Sequence, residues 1–199
     1  MRRIINLPLC LLVVLSNLLT ASSLSSAASV PSPQTPEHGG VIESKYDGFN
    51  SETVVTLKKM KVSCGGKSIK NTLKGSCVSL VASLHCPGSQ LNYVRYAKLQ
   101  LVFETKDWDK RHPLGERDLV AIADGERVKL GTMKLVNQDI DSVQFVDFMR
   151  ELLEVSVTYQ QFMKLAQAQS VEMQVGKTQF ELRDKNLLAL KDLNNRVKP

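Results

Sequence analysis

The side chains best suited to chemistry are few: three histidines, four cysteines and one tryptophan among 199 residues. Cys64, Cys77, His85 and Cys86 fall in one short stretch. Thiols and imidazoles so grouped suggest a disulfide, a metal site or a Cys–His nucleophile. A structural zinc site usually carries a C-x₂-C pair, which is missing. Adjacent His85 and Cys86 on a strand point to opposite faces, so they diverge rather than converge on a metal or form a dyad. No metal ligand and no catalytic residue is assigned on these grounds.

The disulfide can be argued from geometry. Residues 77–86 read as one continuous strand, which holds Cys77 and Cys86 about 30 Å apart at 3.3 Å per residue. A bridge needs Cα atoms within about 7 Å. Cys64 ends one strand and Cys77 begins the next, across the loop GGKSIKNTLKGS. The expected bond is therefore Cys64–Cys77, clipping that loop at its base and adding about 3 kcal/mol in the chain-entropy description. Cys86 is left as a buried thiol or an intermolecular link.

A second cluster lies between Glu104 and Asp118, where Trp108 is flanked by Asp107 and Asp109 and followed by Arg111, His112 and Glu116. As a site it offers carboxylates, an imidazole and a stacking surface. As a connection it is a charged loop whose tryptophan anchors it to a sheet edge. Asp139, Asp141, Asp147 and Glu151 form a further acidic run without the D-x-D-x-D-G pattern of a calcium loop, and read as a solvated link. There is no G-x-S-x-G elbow, P-loop, G-x-G-x-x-G or H-E-x-x-H. No cofactor is expected.

Charge is unevenly spread. Between Thr53 and Phe103 stand Lys58, Lys59, Lys61, Lys67, Lys70, Lys74, Arg95 and Lys98, with no acidic residue. The six lysines from Lys58 to Lys74 form a candidate surface for an anionic partner, an envelope component or a protein. The competing reading is that they keep exposed strands soluble and discourage edge pairing. No aromatic residues interleave with them as a stacking platform requires, so nucleic acid is not an expected partner.

Arg2 and Arg3 precede an apolar segment whose best stretch, residues 9–15, has the length of a signal h-region and falls short of the roughly 20 residues of a spanning helix. Ser26-Ala27-Ala28 supplies the small residues a signal peptidase reads. Residues 1–28 are read as a signal peptide, an uncleaved anchor being the alternative. Residues 29–44 (Pro-, Ser- and Gly-rich) are read as a disordered spacer, and 45–199 as one globular domain. Loss of Arg2 and Arg3 lowers the formal net charge from +6 to +4. Cys10 leaves with the signal, and the other three cysteines meet an oxidising compartment.

The elements that position these groups are mostly strands. Residues 54–64 alternate, with Met60, Val62 and Cys64 on one face. Residues 78–84 are apolar enough for a strand covered on both sides. Ala97, Leu99, Leu101 and Phe103 share a face. Asp124-Gly125 predicts a hairpin that sets Ala121 opposite Val128 and Leu119 opposite Leu130. Gly176-Lys177 predicts another, with Met173 opposite Phe180 and Val171 opposite Leu182. Leu153, Val155 and Val157 alternate with polar neighbours. Thr158 and Gln161 have capping-box spacing ahead of Phe162, Leu165, Ala166 and Gln169. Asp184 is expected to cap a closing helix with Leu187, Leu190, Leu193 and Val197 on one stripe. The fold class is mainly β: an antiparallel β-sandwich or curled sheet with a short helix and a C-terminal amphipathic helix.

The segment YDGFNSETVV (46–55), the turn ADGER-x-x-LG, and the stretch A-x-x-x-x-V-E-M-Q-V-G-x-T-x-F-x-L (166–182), with Leu187 and Leu190 beyond it, resemble uncharacterised exported bacterial β-rich proteins of about this size. The resemblance covers about a third of the mature chain and consists of core and turn residues. It implies a small β-rich envelope domain and carries over no catalytic residue.

The functional expectation is an exported, periplasmic or extracellular, non-catalytic β-domain that binds or scaffolds a ligand of unknown identity. The alternative is an envelope hydrolase or thiol enzyme using the loop between Asp107 and Glu116, or Cys86.

Overall fold

A computed structural model describes residues 37–64, 69–70, 77–105, 117–143, 146–176 and 178–197. The chain divides into a unit Met1–Gln34 and a unit Thr35–Pro199, and every described residue belongs to the second. The signal peptide, the Trp108 loop with Asp107, Asp109, Arg111, His112 and Glu116, and Lys67 and Lys74 lie outside the described residues.

The protein is mainly β, and the described residues form two antiparallel sheets and two helices. The strands are β1 (Ile42–Asp47), β2 (Glu52–Cys64), β3 (Ile69–Lys70), β4 (Cys77–Pro87), β5 (Tyr96–Thr105), β6 (Asp118–Ala123), β7 (Glu126–Thr132), β8 (Lys134–Val143), β9 (Val146–Val157), β10 (Val171–Val175) and β11 (Thr178–Leu182). The helices are α1 (Tyr159–Gln167) and α2 (Asp184–Asn195). One sheet has the order β1-β2-β4-β5-β9-β8 and the other β3-β11-β10-β6-β7.

The core lies between the sheets, which is where alternation sends the apolar side chains. Val78, Leu80, Ala82, Leu84 and Cys86 of β4 line it, and Leu119, Ala121, Val171, Met173 and Phe180 face them from the smaller sheet. Phe103 and Phe180 meet edge-on across the layers, with ring centroids 6.4 Å apart. The helices complete the core: α2 packs on β2, β4 and β11, and α1 packs on β5, β6 and α2. The Tyr159 hydroxyl donates to Asn194 Oδ1 at 3.0 Å and joins the two helices.

Both hairpins form. Ala121 stands opposite Val128, Met173 opposite Phe180, and Val171 opposite Leu182. Asp124 and Gly125 take φ of 49° and 85°, the left-handed pair that a two-residue turn demands. The Asp124 carboxylate also accepts from the backbone N–H of Gln169 and Ser170, tying this turn to the end of α1.

Several expectations need correction. Leu119 faces Gly131 rather than Leu130, because a register shift after Leu119 leaves Leu130 as the extra residue, and Gly131 beside it takes φ 117°. In β2, Val55 and Leu57 point inward, but a shift between Leu57 and Met60 changes the phase, so Lys58 and Lys59 are both exposed and Val62 is buried. The acidic run read as a solvated link is a strand pair, β8 with β9, in which Asp139 faces Arg150 and Glu151 is buried. Arg183, not Asp184, occupies the N-cap of α2, and its backbone N–H donates to Asn186 Oδ1. Gln169 falls past the end of α1. The ordered fold begins upstream of Lys45: β1 starts at Ile42, and His38 is 6% exposed. His38 belongs to the core margin because Gly40 N–H donates to its Nδ1 at 2.9 Å and Asp192 Oδ2 lies 3.2 Å from its Nε2.

Candidate functional site

The face of the six-stranded sheet turned away from the core carries most of the paired polar groups. Alternation places them there: Lys98, Gln100, Val102 and Glu104 of β5 point opposite to Ala97, Leu99, Leu101 and Phe103. Cross-strand pairing then sets Gln100 against Glu154, Val102 against Leu152, and Glu104 against Arg150. On the far side of β9, β8 adds Asn137 opposite Leu152 and Asp139 opposite Arg150.

These rows enclose an open depression of about 350 Å³, lined by Lys59, Val102, Asn137, Asp139, Arg150 and Leu152. Its apolar lining is Val102 and Leu152, and two cations stand in its wall. Lys59 Nζ lies 2.5 Å and Arg150 Nε 3.3 Å from the same Glu104 oxygen. The Lys59 hydrogen bond, the largest influence, holds the Glu104 carboxyl below the usual carboxylate range, and Arg150 adds to it against the opposing effect of burial. At Glu154, burial raises the carboxyl, but hydrogen bonds from Gln100 and Lys98 outweigh it and the net shift is downward. One carboxylate thus orients two cations, and with Asp139 in the same lining the two cations stand among two carboxylates beside an apolar surface.

A second cluster lies further along the same face. Ser83 Oγ is 3.1 Å from His85 Nε2, and His85 Nδ1 is 2.9 Å from Glu52 Oε2. Tyr96 stacks on the imidazole with centroids 4.3 Å apart and planes 14° apart. The order serine, imidazole, carboxylate matches that of a nucleophilic relay. The setting does not suit one: Ser83 is 8% exposed and sits mid-strand between β2 and β5, where backbone N–H groups serve the ladders rather than an oxyanion. The cluster ties three strands together. Its sequence signal was the S-x-H spacing of Ser83 and His85, which puts both on one face of a strand.

The cysteines behave as their spacing predicts. Cys64 and Cys77 form a disulfide at paired positions of β2 and β4, with Cα atoms 3.9 Å apart. Cys86 points into the core and is free and fully buried. Burial, with a smaller contribution from the charge of Glu52, pushes its thiol up, which disfavours the reactive thiolate. His85 points to the opposite face of β4.

The six lysines do not form one row. Lys58, Lys59 and Lys61 lie on β2, whereas Lys70 lies on β3 in the other sheet. Lys58 pairs with Glu43 and Lys59 with Glu104, so acidic residues flanking the acid-free stretch fold back onto it. Lys61 is exposed and has no ion-pair partner among the described residues. Sequence reasoning misses Arg150, Asn137 and Asp139 as neighbours of these lysines, because the polar β8 sequence shows no strand pattern apart from its pairing with β9.

Among the described residues no group of three or more His, Cys, Asp or Glu is arranged to hold a metal ion, and no helix is long and apolar enough to cross a membrane. No family model, curated protein or solved structure matches this chain.

Proposed function

We propose that this is an exported, periplasmic or extracellular, non-catalytic β-domain that binds an anionic envelope component through the outer face of its six-stranded sheet. The observation that carries the reading is the depression in which Lys59 and Arg150 stand beside Val102 and Leu152. Cations beside an apolar surface suit a ligand with an anionic group on an apolar body. Glu104 orients both cations, and with Asp139 in the lining it balances their charge. That balance favours a selective contact, in which the ligand's anionic group competes for the cations, over indiscriminate attraction. Export is supported by the positive, apolar and small-residue order of residues 1–28 and by the Cys64–Cys77 bond, which oxidising compartments favour.

Two measurements test this. Intact mass of fractionated material reports the chain start and the oxidation state; the expected species begins at Ser29 and carries one disulfide. Cosedimentation with phosphatidylglycerol vesicles and with an acidic polysaccharide tests the contact; binding to at least one, weakening as salt rises, is expected. A cytoplasmic, unprocessed chain contradicts export. Absence of binding to both probes at low salt contradicts the anionic ligand.

A further inference from the structure

Strand β8 is the outermost strand of the six-stranded sheet, with β9 on one side and no other described strand on the opposite side. Such an edge presents a row of backbone N–H and C=O groups to an extended chain. On β8 the Gln138 N–H donates to Asn137 Oδ1 at 2.9 Å, a bond that pairing across the edge would exchange for one to the incoming strand. Leu135, Val136 and Ile140 are exposed along it, Ile140 at 59%.

We propose that β8 pairs with β8 of a second copy of this chain, antiparallel about a two-fold axis through Gln138, so that two six-stranded sheets become one. The register follows from the β9 side. There Leu135 faces Leu153 and Asn137 faces Leu152, so Val136 is a bulged residue with no partner. With the same bulge kept toward a second copy, Gln138 meets its own copy, Asn137 meets Asp139, Leu135 meets Ile140 and Lys134 meets Asp141. Gln138 meets amide with amide and Leu135 meets Ile140 aliphatic with aliphatic. Asn137, which donates to Asp139 of its own strand at 2.7 Å, faces the same carboxylate acceptor on the second copy. The pairs also respect the pleat, because the bulge puts Leu135 and Ile140 on one face and Asn137 and Asp139 on the other.

Neighbouring registers do worse. An axis at Asp139 sets that carboxylate against itself. An axis at Asn137 sets Leu135 against Gln138 and runs past the start of the strand. Charges and a bulge on an edge strand hinder pairing with arbitrary chains; here they match the strand's own copy, as an isologous contact requires. Asn137 and Asp139 also line the depression described above. In the dimer the two depressions flank the axis and share these residues as one continuous groove, a consequence that rests on the binding reading while the pairing itself does not.

The test is sedimentation velocity and native mass spectrometry of the exported full chain at micromolar concentration, with three variants. A dimer is expected, and Ile140→Lys is expected to lose it while unfolding in one cooperative urea transition, at the midpoint the parent shows when diluted to monomer. Gln138→Cys is expected to form a covalent dimer on mild oxidation; Ile122→Cys, exposed on the other sheet, is not. A chain that stays monomeric, a dimer indifferent to Ile140→Lys, or a Gln138→Cys chain that stays uncrosslinked each overturns the proposal. Lys59→Glu separates the two readings, because it is expected to weaken anion binding and leave sedimentation unchanged.

Discussion

Lys59 Nζ and Glu104 Oε1 lie 2.5 Å apart, so a lysine from the acid-free stretch is met by the first carboxylate that follows that stretch in sequence. Arg150 shares the same oxygen. Glu104 therefore competes with any anionic ligand for both cations. Glu104→Gln is expected to tighten binding to phosphatidylglycerol vesicles several-fold, read as a lower half-saturating lipid concentration. Weaker binding would show that the carboxylate's orienting role outweighs its competition.

His38 and Asp192 join the segment ahead of β1 to the last helix, with the imidazole nearly buried. Gly40 N–H donates to His38 Nδ1, so Nε2 carries the proton and donates to the carboxylate. His38→Ala leaves partly buried polar groups unmet and is expected to cost about 1–3 kcal/mol, measured by urea unfolding. Gly40→Ala should act alike, because an added Cβ would come 2.9 Å from both His38 Nδ1 and Leu57 Cδ1.

Acid should destabilise the fold through specific carboxyls. Burial raises Asp192, but hydrogen bonds from Arg196 and His38 outweigh it and hold its carboxyl below the ordinary value; Glu104 and Glu154 are lowered as well. A carboxyl lowered by folding contributes stability that is full above its unfolded pKa, about 4, and is lost as pH falls through the folded value. The urea midpoint is expected to fall as pH drops below about 4. Asp192→Asn should flatten that decline and lower stability at neutral pH.

The Cys64–Cys77 bond spans a sequence separation of 13 and closes the loop at paired strand positions. Reduction, or the double change Cys64→Ser and Cys77→Ser, is expected to cost about 3 kcal/mol in equilibrium unfolding. Cys86 should resist iodoacetamide in the native protein and react once denatured. Native labelling at the unfolded rate would contradict its burial.

Gly131 has φ 117°, and an added Cβ would come within 3.3 Å of Val155 Cγ2. Gly131→Ala is expected to cost about 1–3 kcal/mol from the backbone alone, read as a lower urea midpoint.

Local patterns carried much of this fold in readable form. The Asp124-Gly125 turn, the Thr158 and Gln161 box, the two-sided burial of β4 and the Cys64–Cys77 pairing each depend on a few neighbouring residues, whose chemistry has one good solution. What escaped depends on partners distant in the chain. Strand β8 has an acidic, weakly apolar sequence that forms a strand because β9 pairs with it. The phase change in β2 follows from bulges set against β4, and His38 is fixed by Asp192, 154 residues away. The depression unites residues of β2, β5, β8 and β9, so a charge count along the chain found Lys59 and not the wall around it.

The central claim is that anion binding resides in the depression rather than in net charge. The most direct measurement is titration of the exported protein with phosphatidylglycerol vesicles at low and physiological salt, comparing Lys59→Glu with Lys191→Glu at an exposed position of α2, an identical charge change elsewhere. The expected result is salt-sensitive binding that Lys59→Glu largely removes and Lys191→Glu reduces only slightly. Equal losses in the two variants, or binding indifferent to salt, would contradict the account.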